Sequence, residues 1–142
     1  MSNNSKTQDQ KYFDLHITGI GYVNRIREVP VKRGNSFLAV DISALHGSAS
    51  DTQYTRFDCR VSGSEAQVII DQIKPMIEDE QNKVLVGFKL GDLYTDTFVY
   101  SKGNKAGQTG VSLKARLLRI DWVKVNGKKI ELDLAQIEAG AA

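Results

Sequence analysis

A mainly β fold is predicted for this chain: a five-stranded Greek-key barrel of the OB type, with one helix between strands three and four. Three observations carry that prediction. Alternating apolar and polar residues mark five strand-like runs between Tyr12 and Val125, a single amphipathic segment follows Gly63, and glycines interrupt the runs where a small barrel must bend.

In the first run Phe13, Leu15 and Ile17 alternate with Tyr12, Asp14, His16 and Thr18, which gives one apolar and one wet face. Gly19 and Gly21 then predict a bulge or bend, after which the strand resumes at Tyr22 and runs to Glu28. Pro30 and Lys32-Arg33-Gly34-Asn35 form the turn. The second strand sets Leu38, Val40, Ile42 and Ala44 on one face. The third sets Phe57, Cys59 and Val61 inward, and therefore Tyr54, Arg56, Asp58 and Arg60 outward.

Ser64 is the expected helix N-cap, with Glu65 in the first turn where negative charge suits the helix dipole. Val68, Ile69, Gln72, Ile73, Met76 and Ile77 recur at spacings of three and four, so the helix can lay an apolar stripe over one end of the barrel. Pro75 is expected to kink or weaken the last turn. Val84, Val86, Phe88 and Leu90 then make a fourth strand. A bulge at Gly91 leaves open the direction of Tyr94, Phe98 and Tyr100, which share one parity. Lys102 to Gly110 reads as a mobile loop. In the fifth strand Val111, Leu113, Ala115 and Leu117 face inward, opposite Ser112, Lys114 and Arg116, and Trp122 near its end is expected in the core or at a subunit contact.

With 142 residues and 41% hydrophobic content, the chain is sized for one domain. Residues 1–11 read as a disordered N-terminal segment, 12–130 as the barrel and 131–142 as a short C-terminal tail. No apolar run approaches the roughly 18 residues of a membrane span, and Met1 to Lys11 is polar. One cysteine, Cys59, excludes an internal disulfide, so a cytoplasmic protein without membrane partners is expected.

Net charge is only +2, but its distribution is uneven. From Lys102 to Lys129 eight basic residues stand against one acid, Asp121, and Arg25, Arg27, Lys32 and Arg33 stand against Glu28. Between Ser64 and Gln81 five acids face only Lys74. Basic charge thus gathers on strands and their loops, as expected where one face meets a polyanion.

The run Gly21 to Val29, the turn around Gly34 and the alternating strand Phe37 to Ala44 resemble the opening of bacterial single-stranded DNA-binding proteins. Phe57 to Gly63, the helix and Lys83 to Leu90 are similar to their third strand, helix and fourth strand. More closely, the whole chain resembles a poorly characterised family of replication-associated proteins encoded on integrative and conjugative elements. The resemblance implies an OB-fold and a role with single-stranded DNA in replication or transfer of a mobile genetic element. Arg56 and Ser62 fall near positions where the single-stranded DNA-binding family often has aromatics.

For such a role, cations neutralise phosphates and flat rings stack on bases. The expected interface comprises Arg25, Arg27, Arg56, Arg60, Lys89, Lys114, Arg116 and Arg119 for charge, with Tyr22, Tyr54, Tyr94 and Tyr100 for stacking. Small barrels leave strand edges that pairing between copies can cover, so a homo-oligomer is expected. The alternative is a structural adaptor whose basic strip binds another protein of the replication or conjugation machinery.

Enzymatic readings fare worse. His16 and His46 have no cysteine or paired carboxylate at ligand spacing. Gly103 to Gly110 has the glycines of a phosphate-binding loop but lacks Gly-Lys-Ser/Thr leading into a helix. Asp92 and Asp96 are expected to be solvated, and an inward Cys59 is no nucleophile. No catalytic residue, metal or cofactor is expected.

Overall fold

The computed structural model describes residues 13–132. Tyr12, the N-terminal segment 1–11 and all but two residues of the expected tail lie outside them.

The elements are β1 His16–Val29, β2 Phe37–Ser48, β3 Asp51–Val61, α1 Ser64–Glu78, β4 Val84–Val99, β5 Thr109–Val125 and a two-residue β6, Lys128–Lys129. Around the cylinder the order is β1-β2-β3-β5-β4 and back to β1. All neighbours are antiparallel except β3 and β5, whose parallel pairing of 57–61 with 113–117 closes the barrel. This is an OB-fold, with the helix between strands three and four as predicted.

The interior is filled from all five strands, because alternation sends every second side chain inward. Val23, then Val40 and Ile42, then Phe57, Cys59 and Val61, then Val84, Val86, Phe88 and Leu90, and finally Leu117, Ile120 and Val123 are all buried. Ala66, Ile69, Ile70, Ile73 and Ile77 of α1 join the same cluster. Leu132, placed in the tail by sequence, packs against it too.

Several local expectations are corrected. Phe13 and Leu15 precede β1 and are exposed, and only Ile17 of that trio packs on the core. Gly19 and Gly21 do not break the strand, since its pairing with β4 runs without a slip from His16 to Val23. The irregularity instead lies between Asn24 and Arg27, where Arg25 takes a left-handed φ of 53°. Such a bulge inserts an extra residue and turns the chain.

Gly63 occupies the N-cap position and Ser64 is already helical, with no side chain capping the first turn. The helix also continues through Pro75 to Glu78 without splitting. Three residues from the end, the proline removes only one bond, and nearby the Asn82 amide donates to the Met76 carbonyl at 3.2 Å. The buried stripe is rotated from the expected one. Ala66 and Ile70 are inside, while Val68, Gln72 and Met76 are half-buried.

Beyond Gly91 a further irregularity, with Asp92 at φ 56°, turns Leu93 onto the core and leaves Tyr94 and Phe98 exposed. The segment expected as a mobile loop is a closed turn between β4 and β5. Tyr100 N donates to Gln108 O at 2.9 Å and Gly107 N to Tyr100 O at 2.8 Å. Trp122 is not a core residue: it lies half-buried on the outer wall against Gly87, with the Lys124 ammonium 5.5 Å from its ring.

Candidate nucleic-acid interface

The outward residues of β1, β2, β3 and β5 meet on one wall of the cylinder, and its centre is a row of charges set by strand register. Asp41 of β2 stands opposite Asp58 of β3, Asp58 opposite Lys114 of β5, and Lys114 opposite Tyr94 of β4. Two carboxylates facing each other across a pair of strands repel. The β1 bulge supplies the remedy, because it brings two arginines over them.

Arg25 Nε donates to Asp41 Oδ2 at 2.7 Å, and Arg27 Nη1 to Asp41 Oδ1 at 3.2 Å. Arg27 also reaches Asp58 through Nη2, so one guanidinium bridges both acids. Lys114 Nζ completes the chain at 3.1 Å from Asp58 Oδ2. Asp41 is 1% exposed, which makes it the buried charge around which the others assemble.

The titration behaviour follows from this geometry. Its hydrogen bond to Asp41 raises the Arg25 guanidinium pKa further, against the effect of burial. Burial pushes the Asp58 carboxyl up, but the Lys114 hydrogen bond and the charges of Arg27 and Lys114 prevail and hold it below the usual carboxylate range. A carboxyl depressed in the folded state stabilises the fold above its ordinary pKa of about 4, and that contribution is lost as pH falls through the depressed value. The melting-temperature gap between wild type and Asp58→Asn is therefore expected to narrow below about pH 4. A gap that stays constant from pH 7 to pH 3 would show that the charge of Asp58 does not stabilise the fold.

Outside this row the wall carries cations of a different kind. Among the described residues Arg56 has no carboxylate partner, and Arg60 has none either but sets its guanidinium carbon over the Phe37 ring, 4.2 Å from its centre. Tyr54 is 57% and Tyr94 is 59% exposed. Tyr22 and Tyr54 lie with ring centres 6.5 Å apart.

These side chains line a connected groove. One cleft is bounded by Arg25, Asp41, Tyr54, Arg56 and Asp58. It shares Tyr54 with a second cleft that holds Tyr22, Asn24 and Lys83, and it shares Arg25 and Asp58 with a third that holds Phe37, Arg60, Tyr94 and Lys114. Tyr54 and Arg60 lie six residue steps apart on β3, so the groove is about 20 Å long at about 3.4 Å per step.

The structure thus gathers Tyr22, Arg25, Arg27, Tyr54, Arg56, Arg60, Tyr94 and Lys114 of the predicted set. Arg116 shares the outward parity of Lys114 and is held by Asp92 at 3.3 Å. Asp92 and Asp96 are solvated as expected, with side chains 63% and 58% exposed, and make surface contacts to Arg116 and, at 4.0 Å, to Lys114. The remaining three lie elsewhere. Lys89 and Arg119 face each other across β4 and β5 and line none of these clefts, and Arg119 is paired with Asp121 at 2.8 Å. Tyr100 sits at the base of the β4–β5 turn, edge-on to Phe98 with ring centres 4.9 Å apart.

Sequence reasoning missed Phe37 and the organising role of Asp41. Phe37 has the parity of Ala39 and Asp41, opposite to Val40 and Ile42, which marks it as outward. Asp41 is an acid set between two core residues, and that interruption was the available signal.

His16 is exposed, and His46 shares a 3.1 Å hydrogen bond with Thr55. No described group of three or more His, Cys, Asp or Glu side chains is placed to hold a metal ion. Cys59 is buried, and burial pushes its thiol up to about 12. No helix among the described residues is long and apolar enough to cross a membrane.

Fold and wall together define a single OB-type barrel with a groove of arginines and flat rings on one side. The chain belongs to the family described as "Protein of unknown function (DUF3577)", whose model matches residues 6–136. No curated protein and no solved structure matches it.

Proposed function

We propose that the groove binds single-stranded DNA without catalysis, in replication or transfer of a mobile genetic element in the cytoplasm. One observation carries this reading: two arginines with no carboxylate partner among the described residues, Arg56 and Arg60, share the outer face of β3 with exposed Tyr54 on a wall that also presents Tyr22, Phe37 and Tyr94. Free guanidinium groups take phosphates and exposed rings take base faces, a sequence-tolerant pairing suited to unpaired strands. Asp71 of α1 lines a cleft beside Phe37 and Arg60, and Glu80 lines the cleft of Tyr22 and Tyr54, so the reading rests on the unpaired guanidinium groups and exposed rings rather than on the net charge of the wall.

Fluorescence anisotropy with labelled oligo-dT tests the reading. Binding is expected at low salt and is lost as salt rises, with a log-log slope of about −0.7 for each phosphate neutralised. Arg56→Ala is expected to weaken binding about tenfold and to make the slope shallower by about 0.7. Absence of binding at low salt would overturn the proposal.

A second reading, an adaptor for another replication or conjugation protein, is favoured by the acids of the same wall. Asp41, Asp58, Asp92 and Asp96 neutralise much of its charge, which suits a mixed protein surface better than a bare phosphate track. Homo-oligomer formation belongs with either reading.

A further inference from the structure

We propose that Arg60 and Phe37 form a nucleobase-stacking subsite, in which the guanidinium offers its outer face to an unpaired base while the Phe37 ring holds its inner face. This rests on the single-strand reading above and deepens it, because it makes Arg60 a reader of bases rather than a phosphate contact.

Arg60 has no carboxylate partner among the described residues. Arg25, Arg27 and Arg116 on the same wall are each aimed at a carboxylate. Arg60 is aimed at a ring, with its guanidinium carbon 4.2 Å from the Phe37 centroid, well inside cation–π range. With its guanidinium carbon over the Phe37 ring and the residue itself exposed, Arg60 turns one side to the ring and leaves the other open to solvent.

Planar and delocalised, that open face stacks on a base as an aromatic side chain does, which an ammonium cannot imitate. Because Phe37 already fixes its orientation, little rotamer freedom remains to be lost on binding. Tyr94 lines the same cleft, so a second flat surface stands beside the first. At the other end of the groove Tyr22 and Tyr54 make a comparable aromatic station, about 20 Å away along β3. Bases in a duplex have their faces covered by their neighbours. A subsite that grips base faces therefore selects unpaired strands over duplexes, whereas a phosphate contact does not.

The test compares wild type, Arg60→Lys and Phe37→Leu on labelled oligo-dT and on an abasic oligonucleotide of equal length, with Arg56→Ala as the charge control. Arg60→Lys is a surface change that keeps the charge, and circular dichroism melting confirms that each variant is folded. Arg60→Lys is expected to weaken oligo-dT binding about tenfold, or about 1.4 kcal/mol, while affinity for the abasic strand and the salt slope stay at wild-type values. Phe37→Leu is expected to move the same way. Wild-type affinity of Arg60→Lys for oligo-dT, or an equal loss on both strands, would overturn the subsite and leave the binding reading standing, provided Arg56→Ala still weakens both. Failure of the wild-type protein to bind either strand at low salt would remove the binding reading and this subsite together.

Discussion

Gly21→Ala is expected to destabilise the barrel by about 3 kcal/mol, the upper end of what overpacking costs, and Gly21→Val to prevent folding. A Cβ at this position would stand 2.7 Å from the Ser43 carbonyl oxygen, 2.8 Å from Ile42 Cγ2 and 3.0 Å from Ala44 Cα. Two of these are backbone atoms of the paired strand β2, and they cannot withdraw without opening the β1–β2 ladder. Gly19, two residues earlier, is a useful contrast. Its added Cβ would meet the far edge of the Phe88 ring at 3.2 Å, and a ring edge can yield by a few tenths of an ångström. Urea unfolding of Gly19→Ala and Gly21→Ala should therefore give clearly different midpoints, with Gly21→Ala the lower. Equal midpoints would mean that the two strands are not pressed together at residue 21.

The second large effect is expected at Asp41. Replacing it with alanine leaves Arg25 and Arg27 without their shared acceptor and a polar hole beneath them. Breaking a fully buried ion pair costs about 3 to 5 kcal/mol. Here about 2 to 3 kcal/mol is expected, because the Arg25 side chain is 59% exposed and can turn to water. Asp41→Asn should recover part of the loss, since its amide oxygen still accepts one arginine hydrogen bond. A cost below about 1 kcal/mol for the alanine variant would place the cluster with ordinary surface bridges instead. Arg25 also sits in a left-handed conformation that a non-glycine residue adopts at some energetic cost, and its bond to Asp41 is the compensation the structure offers.

The barrel was legible in the sequence because period-two alternation is a local signal. Phe57, Cys59 and Val61 face inward as predicted, and so do Val84, Val86, Phe88 and Leu90. Glycine was harder to interpret. The same residue can mark a bulge or a close approach, and only the three-dimensional neighbour of Gly21 distinguishes them. The true bulge fell at Arg25, a residue with no turn propensity, since the reward for distorting the chain there is a carboxylate 16 positions away. The site was legible to the same extent. Parity placed Tyr54, Arg56 and Arg60 on one outer face, but parity does not reveal which cations are already paired. Lys89 and Arg119 looked equivalent to Lys114 on charge alone, but they pair with each other further along the same two strands, on the far side of the register shifts between Lys89 and Tyr94.

The parallel seam between residues 57–61 and 113–117 fixes when this molecule can come into being. Strands β1 to β3 can pair as a meander while the chain is still emerging from the ribosome, yet the cylinder stays open until a partner more than fifty residues downstream arrives. Until that moment the edge of β3, Arg60 included, remains available to any other extended strand. Folding should therefore be slow for a chain of this size and sensitive to protein concentration, and a nascent chain stalled before residue 113 would lack the β5 side of the wall that carries Arg56 and Arg60.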